Sequence, residues 1–498
     1  MQKNLFRVKR LDSILAEERD SKDKLKRVLG AFDVIMLGIG AIIGAGIFAT
    51  IGTAAAGDLA RPGAGPALII SFVITGIACG FAALCYAEFA SMVPISGSAY
   101  TYSYATLGEL VAWIIGWDLI IEYAVGNVAV AISWANYFKT FVSGFGIFSP
   151  DWITTDYRTA TKIPGLIEHA PHILGIPIVF NILAMGIVAA ITILLVIGIK
   201  ESSRTTTVMV IIKLIVLIIF IIVGFQYVKP ANWTPFAPNG WKGIQAGAAI
   251  VFFAYIGFDA VSTVAEEVKN PKRDLPIGII GSLIICTIFY IIVAAVFTGI
   301  IPYRDLVKTL STSQAEPLTL ALQYANIKTW GNFFVGLIAF GSVIAHTAVL
   351  LVFQMGQSRI FFSMSRDGLL PKSFSKVHPK YRTPYVTTIL TGFAVGITSM
   401  FTSIDEMVDL TNIGTLFAFI LVCLGIMILR KKDPGRERGF RTPFVPLVPL
   451  LGIFSCMYLM MGLPWITWVR FGGWLLIGLV IYLLYGRKKS RLNPASNH

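Results

Sequence analysis

Twelve apolar stretches recur along this chain with few charges inside them, at about 32–57, 66–92, 108–142, 178–199, 205–228, 243–266, 275–300, 330–363, 384–402, 407–429, 444–463 and 468–486. A hydrocarbon layer roughly 30 Å thick is crossed by about twenty helical residues. Inside it, every backbone N–H and C=O has to be satisfied within the segment. The repetition therefore dictates an all-α integral membrane protein, expected with twelve transmembrane helices. The third and eighth stretches are longer than a bilayer needs, so tilt or extension beyond the membrane is expected there. Composition agrees: 56% of the 498 residues are hydrophobic and 14% are charged, against roughly 25% charged in ordinary soluble domains.

The net charge is +14. A nucleic-acid surface would need a basic face interleaved with aromatics, whereas the basic residues here lie between apolar runs, so no nucleic-acid partner is expected. They cluster in alternate loops: Lys22, Lys24, Lys26 and Arg27; Lys269, Lys272 and Arg273; Lys372, Lys376, Lys380 and Arg382; Arg430, Lys431, Lys432, Arg436, Arg438 and Arg441; Arg487, Lys488, Lys489 and Arg491. Loops of that kind stay in the cytoplasm. Both termini are therefore expected inside a plasma membrane crossed an even number of times.

Residues 1–30 are polar and lack the pattern of a cleaved leader. Leu5, Val8, Leu11, Ile14 and Leu15 have the spacing of a short helix lying on the membrane surface, and a solvated tail is the alternative. The main loops on the opposite side are 143–177 and 301–329, and "PLTLALQYA" in the second suggests a short re-entrant or surface helix. Cys79, Cys85, Cys286, Cys423 and Cys456 all lie in apolar runs without a paired spacing, so they read as small buried hydrophobes. Neither a metal nor a cofactor is expected.

The first stretch contains "GIGAIIGAGIFATIG", with Gly38, Gly40, Gly44 and Gly46 near mid-membrane; the sixth contains "AAIVFFAYIGFDAVSTVAEE", with Gly257 and Asp259 at mid-span. Glycine weakens a helix and exposes its backbone. Unwound backbone at membrane depth survives where it lines a protein cavity. Interruptions at corresponding places in two halves point to a midplane binding site. The alternative is that these glycines only let helices pack closely.

At these residues the chain resembles the amino acid–polyamine–organocation superfamily and, within it, the cationic amino acid transporters. "GIGAIIGAGIF" is similar to that family's broken first helix. "GFDAVSTVAEEVKNPKRDLPIGI" resembles its sixth helix and following loop, "SMSRDGLLPKSFSKVHPKYRTP" its loop between helices 8 and 9, and "DLTNIGTLFAFILVCLGIMILR" its tenth helix. The resemblance spans about 30–486. It implies the five-plus-five inverted-repeat fold of the sodium-coupled leucine transporters, with helices 1 and 6 broken. The transport core would be 31–429, divided into repeats 31–228 and 243–429. Helices 11 and 12 would occupy 430–486, and a cytoplasmic tail 487–498. Animal members carry two further helices, so the chain looks like the shorter bacterial form.

An amino acid presents a carboxylate and an ammonium, and a broken helix can hold both with backbone alone. Free N–H groups opening the second half-helix suit the carboxylate; Ile43, Gly44, Ala45 and Gly46 are assigned to it. By similarity, carbonyls at Ile42, Phe253, Ala254 and Ile256 are assigned to the ammonium, with Phe253 also a gate over the ligand. Asp259, a mid-membrane carboxylate, is normally functional: it faces a cationic side chain, or pairs internally with Lys213. Lys213, in "VMVIIKLIVLIIF", looks like the lysine that replaces a sodium ion in proton-driven members. It lies about two turns, roughly 12 Å, from Thr205, and snorkelling to the interface is the alternative. Asp118 and Glu122 share one helix face and would line an outer vestibule or gate, or pair with other helices. Glu88, Glu266 and Glu267 are candidate inner-gate partners for the basic loops. His346 reads as a packing histidine before a relay.

A membrane enzyme would need an acid/base, nucleophile or metal constellation, and none is visible. The expected function is secondary active, proton-coupled transport of cationic or small neutral L-amino acids such as alanine, by alternating access. An exchanger, a sensor and a channel are the alternatives. The partners expected are the amino acid, protons and membrane lipid, with a small membrane accessory subunit left open.

Overall fold

A computed structural model describes residues 7–9, 27–92, 98–198, 203–310, 316–328 and 330–492. The surface-helix pattern at Leu5, Leu11, Ile14 and Leu15 falls outside the described residues; Val8 lies within 7–9, which are non-helical.

Among the described residues nine helices are long and apolar enough to cross a membrane, and three shorter apolar ones stand where the remaining stretches were expected. In chain order they are α1 (Ala31–Ala56), α2 (Gly65–Met92), α3 (Glu109–Ser143), α4 (Ile182–Ile197), α5 (Ser203–Phe225), α6 (240–267), α7 (Pro271–Ile300), α8 (Gly331–Arg366), α9 (Tyr385–Phe401), α10 (Ile404–Lys432), α11 (Leu447–Met460) and α12 (Trp465–Lys489). Local chemistry sets several ends. The Asp33 carboxylate accepts from the Gly30 N–H at 2.9 Å as α1 begins. The Asn181 side chain caps α4, and Gly198 closes it in the left-handed conformation. Pro271 opens α7, where its missing N–H is no loss.

The helices pack in pairs five apart in order. α2 lies on α7, α3 on α8 and α4 on α9, and the middle of α1 touches the middle of α6. α5 leans on α8 and on the first half of α1, while α11 packs against α2 and α10. Burial separates inner from outer helices: the most apolar part of α6 is 94% buried and that of α12 is 22% buried. The exposed faces of α4, α5, α7, α9 and α12 carry isoleucine, leucine and phenylalanine, as lipid-facing helices must.

Pro317–Tyr324 does form a helix, but Pro317, Leu318, Thr319, Ala321 and Leu322 are buried. It is packed against the far half of α1, where a Cβ on Gly52 would come within 2.7 Å of the Pro317 ring. The surface placement allowed by the sequence is thus corrected, because most of its side chains are apolar and find a protein wall.

Candidate functional site

Two of the helices are not continuous. α1 runs helically from Ala31 to Ile42, turns extended at Ile43 (φ −76°, ψ 104°), and resumes as a wide π-helical turn over Gly46–Thr50 before Ile51–Ala56. α6 runs from Gly240 to Val251, tightens into a 3-10 turn at Phe252–Tyr255, turns extended at Ile256, and resumes as a 3-10 stretch at Asp259–Glu267. Gly257 lies between, at φ +118°, a conformation that L side chains rarely adopt.

The two interruptions touch. A Cβ placed on Gly46 would sit 2.1 Å from the Ala254 Cα, and one on Gly257 would sit 2.8 Å from the Ala41 carbonyl oxygen. Glycine at both positions lets peptide planes meet where side chains would hold them apart. Gly44 faces a different neighbour: its Cβ would lie 2.6 Å from Val349 Cγ2 on α8.

Helix ends leave first-turn N–H and last-turn C=O groups without partners. In α1 the Ile43 N–H still donates to Ile39 O at 3.0 Å, which corrects its assignment to the carboxylate because the last helical turn already satisfies it, whereas no carbonyl among the described residues accepts from the N–H groups of Gly44, Ala45 or Gly46. The carbonyls of the preceding half are engaged. Lys213 Nζ, on α5, donates to Gly40 O and Ile43 O, both at 2.8 Å. Tyr290 Oη, on α7, lies 3.1 Å from Ile42 O and 2.8 Å from Ala254 O. A hydroxyl has one hydrogen for those two acceptors, so each carbonyl keeps capacity for another donor. In α6, the Asn412 amide of α10 donates to Ala249 O at 2.8 Å and to Ile250 O at 3.3 Å.

Ile42, Ile43, Gly44, Ala45, Gly46, Phe253, Ala254 and Ile256 are all buried at this junction. Lys213 is fully buried and bonded to carbonyls, which excludes snorkelling. Its two bonded oxygens lie at the carboxyl end of a half-helix, where partial negative charge favours a cation.

Asp118, Glu122 and Asp259 form a second buried group. Asp259 Oδ2 accepts from Tyr123 Oη at 3.2 Å. Asp259 Oδ1 and all four oxygens of Asp118 and Glu122 have no hydrogen-bond partner among the described residues. Glu122 lies within electrostatic reach of both Asp259 and Asp118. A Cβ on Gly414 of α10 would come within 2.8 Å of Asp118 Oδ1. A π-helical turn at Ile121–Val125 interrupts α3 beside these acids, a distortion that recurs at functional sites. The vestibule reading of Asp118 and Glu122 is corrected for this structure: both are closed off beneath α10. Asp259 Oδ2 engages Tyr123 of α3, and the two carbonyl bonds of Lys213 go to α1.

His346 and Glu88 make hydrogen bonds that tie helices and loops together. His346 Nδ1 lies 2.6 Å from Ser342 O and Nε2 lies 2.7 Å from Ser133 Oγ; a neutral ring donating to the carbonyl and accepting from the hydroxyl satisfies both atoms. Glu88 accepts from Arg430 and Arg438 and from the Thr442 N–H, tying the 10–11 loop to α2. Sequence reasoning passed over Tyr290 and Asn412. The available signal was a hydrogen-bonding side chain inside a spanning stretch, Tyr290 in "TIFYIIV" and Asn412 beside Thr411 in "DLTNIG".

The amino acid permease family model matches residues 29–485. The chain is 50% identical to the branched-chain amino acid permease BcaP of Bacillus subtilis, over 99% of this chain and 100% of that protein. It is 44% identical to a methylthioribose transporter of Bacillus subtilis, over 98% and 99%. It is 30% identical to the vacuolar cationic amino acid transporter 4 of Arabidopsis thaliana, over 99% and 97%. These relatives are permeases and transporters rather than enzymes.

Proposed function

Because the chain belongs to the amino acid permease family, within the amino acid–polyamine–organocation superfamily, we propose that it is a proton-coupled amino acid carrier working by alternating access. One observation carries the reading. The unpartnered amides of Gly44, Ala45 and Gly46 lie in the break of α1, and Gly46 brings that break against the Ala254 backbone, so donors for a carboxylate and acceptors for an ammonium share one junction. Backbone groups of that kind recognise the part common to all amino acids.

The contacts between α1 and α6, α2 and α7, α3 and α8, and α4 and α9 support two inverted repeats of five helices, with α11 and α12 outside them. In that arrangement α1, α2, α6 and α7 rock against α3, α4, α8 and α9. The basic loops support cytoplasmic termini in a plasma membrane.

Lys213 is the proposed coupling residue. A lysine ammonium can lose its proton, and without it the Gly40 and Ile43 carbonyls lose a charged partner. The first half of α1 would then be freed to move. Asp118, Glu122 and Asp259 supply unmatched carboxyl oxygens near the second half of α6, where cationic charge is accommodated best.

For the side chain, the 50% identity with a branched-chain permease along the whole chain favours leucine, isoleucine and valine. The acidic group favours a second reading, a cationic side chain. The test is uptake of radiolabelled leucine, isoleucine, valine, alanine, arginine and lysine into proteoliposomes, with and without pH and sodium gradients. Methylthioribose, which lacks both carboxylate and ammonium, serves as the discriminating control. Saturable leucine uptake driven by an inward proton gradient is expected. Uptake of methylthioribose alone would overturn the amino acid reading.

A further inference from the structure

Away from the junction, the first turns of α7 and the segment Gly439–Phe440 enclose a cleft of about 450 Å³. Its mouth carries Lys272 and Arg273, and its wall is Pro276, Ile277, Ile280 and Phe440. The walls are held in place. A Cβ on Gly439 would sit 2.6 Å from Lys272 Cβ and 2.7 Å from the Lys272 carbonyl oxygen, and the Phe440 N–H donates to Ser91 Oγ at 3.1 Å. Both cations are available. The Arg273 guanidinium has no protein partner among the described residues. Lys272 pairs with Glu437 at 2.9 Å, but both side chains are more than half exposed, so the pair holds it weakly.

The cleft does not end at Ile280. Ile277, Ile284, Ile288 and Ile292 are 38%, 54%, 53% and 40% exposed. Spacings of seven, four and four place them on one face of α7, a track of roughly 22 Å. Two cations thus sit at one end of an apolar strip as long as an acyl chain, on a helix that crosses the membrane. A soluble anion would use the cations and leave the strip bare, and a soluble peptide cannot follow it into hydrocarbon.

We propose that this cleft binds an anionic diacyl phospholipid of the cytoplasmic leaflet, its phosphate on Lys272 and Arg273 and one acyl chain along the isoleucine strip. Basic pockets beside membrane helices on that face suit such headgroups. The choice of leaflet rests on the orientation proposed above; the binding does not. The position also matters mechanically. α7 begins directly after the backbone bonds joining the base of α1 to the end of α6, where Val28 and Leu29 N–H groups donate to Glu267 O at 2.9 and 3.0 Å and Lys269 N–H to Leu29 O at 2.9 Å. A lipid held there steadies the tie between the two interrupted helices.

The test uses the purified full-length protein in an uncharged detergent, titrated with phosphatidylglycerol, phosphatidylcholine or inorganic phosphate. Retained lipid is read by native mass spectrometry, and stability by the thermal midpoint. Phosphatidylglycerol is expected to be retained and to raise the midpoint. The Lys272→Gln/Arg273→Gln protein should bind it about twenty-fold more weakly, the loss expected for two juxtamembrane cations. Lys376→Gln/Lys380→Gln, which removes the same charge from the exposed 8–9 loop, should bind as the parent does. Equal loss in both double variants, equal retention of phosphatidylcholine, or equal stabilisation by phosphate alone would each overturn the proposal. Labelling of a Lys272→Cys protein from outside intact cells would overturn the leaflet and the orientation while leaving the detergent binding result standing.

Discussion

The interruptions in α1 and α6 solve the same problem with different partners. In α1 the carbonyls left by the break are held by a charged donor, the Lys213 ammonium, at Gly40 and Ile43. In α6 they are held by neutral donors, the Asn412 amide at Ala249 and Ile250 and the Tyr290 hydroxyl at Ala254. Neutral donors keep their hydrogen bonds at any physiological pH, whereas an ammonium can be lost by losing one proton. Under the proposed proton coupling, the difference makes one break steady and the other the switch. Tyr290 joins them, because its hydroxyl also reaches Ile42 O across the junction.

The largest expected effect follows from removing the charged partner. In Lys213→Ala the Gly40 and Ile43 carbonyls lose their donor, and uptake driven by an inward proton gradient should fall about 100-fold, the scale of a 3 kcal/mol loss. Exchange of labelled for unlabelled substrate across the same liposomes should survive, since it needs no net proton movement. Wild-type gradient-driven uptake in that variant would erase the contrast between the two breaks. Next comes the contact between them. Gly46→Val places side-chain atoms where the Ala254 backbone stands, 2.1 Å from the position of its Cβ. Overpacking of this kind costs about 1–3 kcal/mol, so substrate affinity measured by equilibrium binding should drop by about ten-fold or more, with the protein still monodisperse. Unchanged affinity would show that the junction does not bind substrate.

Tyr290→Phe sharpens the comparison further. It deletes the hydroxyl shared by Ile42 and Ala254 but keeps the ring packed on Phe72 and Tyr255. A neutral hydrogen bond is worth about 1 kcal/mol, so affinity should weaken about five-fold while the pH dependence of uptake stays as in the parent. A shift in that pH profile would mean that the neutral partner, and not only Lys213, reports protonation.

What the sequence could disclose depended on whether the signal was local. The breaks were legible because glycine clusters and a mid-span aspartate act on the residues that carry them. Extended Ile43 and Ile256 fall within the stretches expected to unwind. The burial of Lys213 was legible because an uninterrupted apolar run surrounds it in the chain. Tyr290 and Asn412 were not legible as partners: a polar residue inside a spanning stretch does not disclose which way it points, and only packing of α7 and α10 on α6 supplies its acceptor. The acids of α3 misled for the same reason. Spacing put Asp118 and Glu122 on one face, but what covers that face is Gly414, almost three hundred residues later. The burial of the Pro317–Tyr324 helix likewise arises from a contact with α1 that no local pattern encodes.

That helix extends the comparison to the far ends of the two broken helices. The end of α6 is tied down by backbone bonds from Val28 and Leu29, which do not titrate, whereas the far half of α1 leans on Pro317, next to a group that does. Burial pushes the Glu316 carboxyl up to about 7, against the opposing pull of its own backbone N–H, the Thr140 hydroxyl at 2.9 Å and the Lys139 charge. An acid whose folded pKa is raised stabilises the fold while protonated. That contribution is complete below its unfolded value, near 4.5, and is lost as pH rises through about 7. The thermal midpoint of the purified protein should therefore fall by about 2 °C more between pH 5 and pH 8 than that of Glu316→Gln, a size set by the large unfolding entropy of a chain this long. Identical pH profiles for parent and variant would show that the support under the outer half of α1 is as insensitive to protons as the ties at the end of α6.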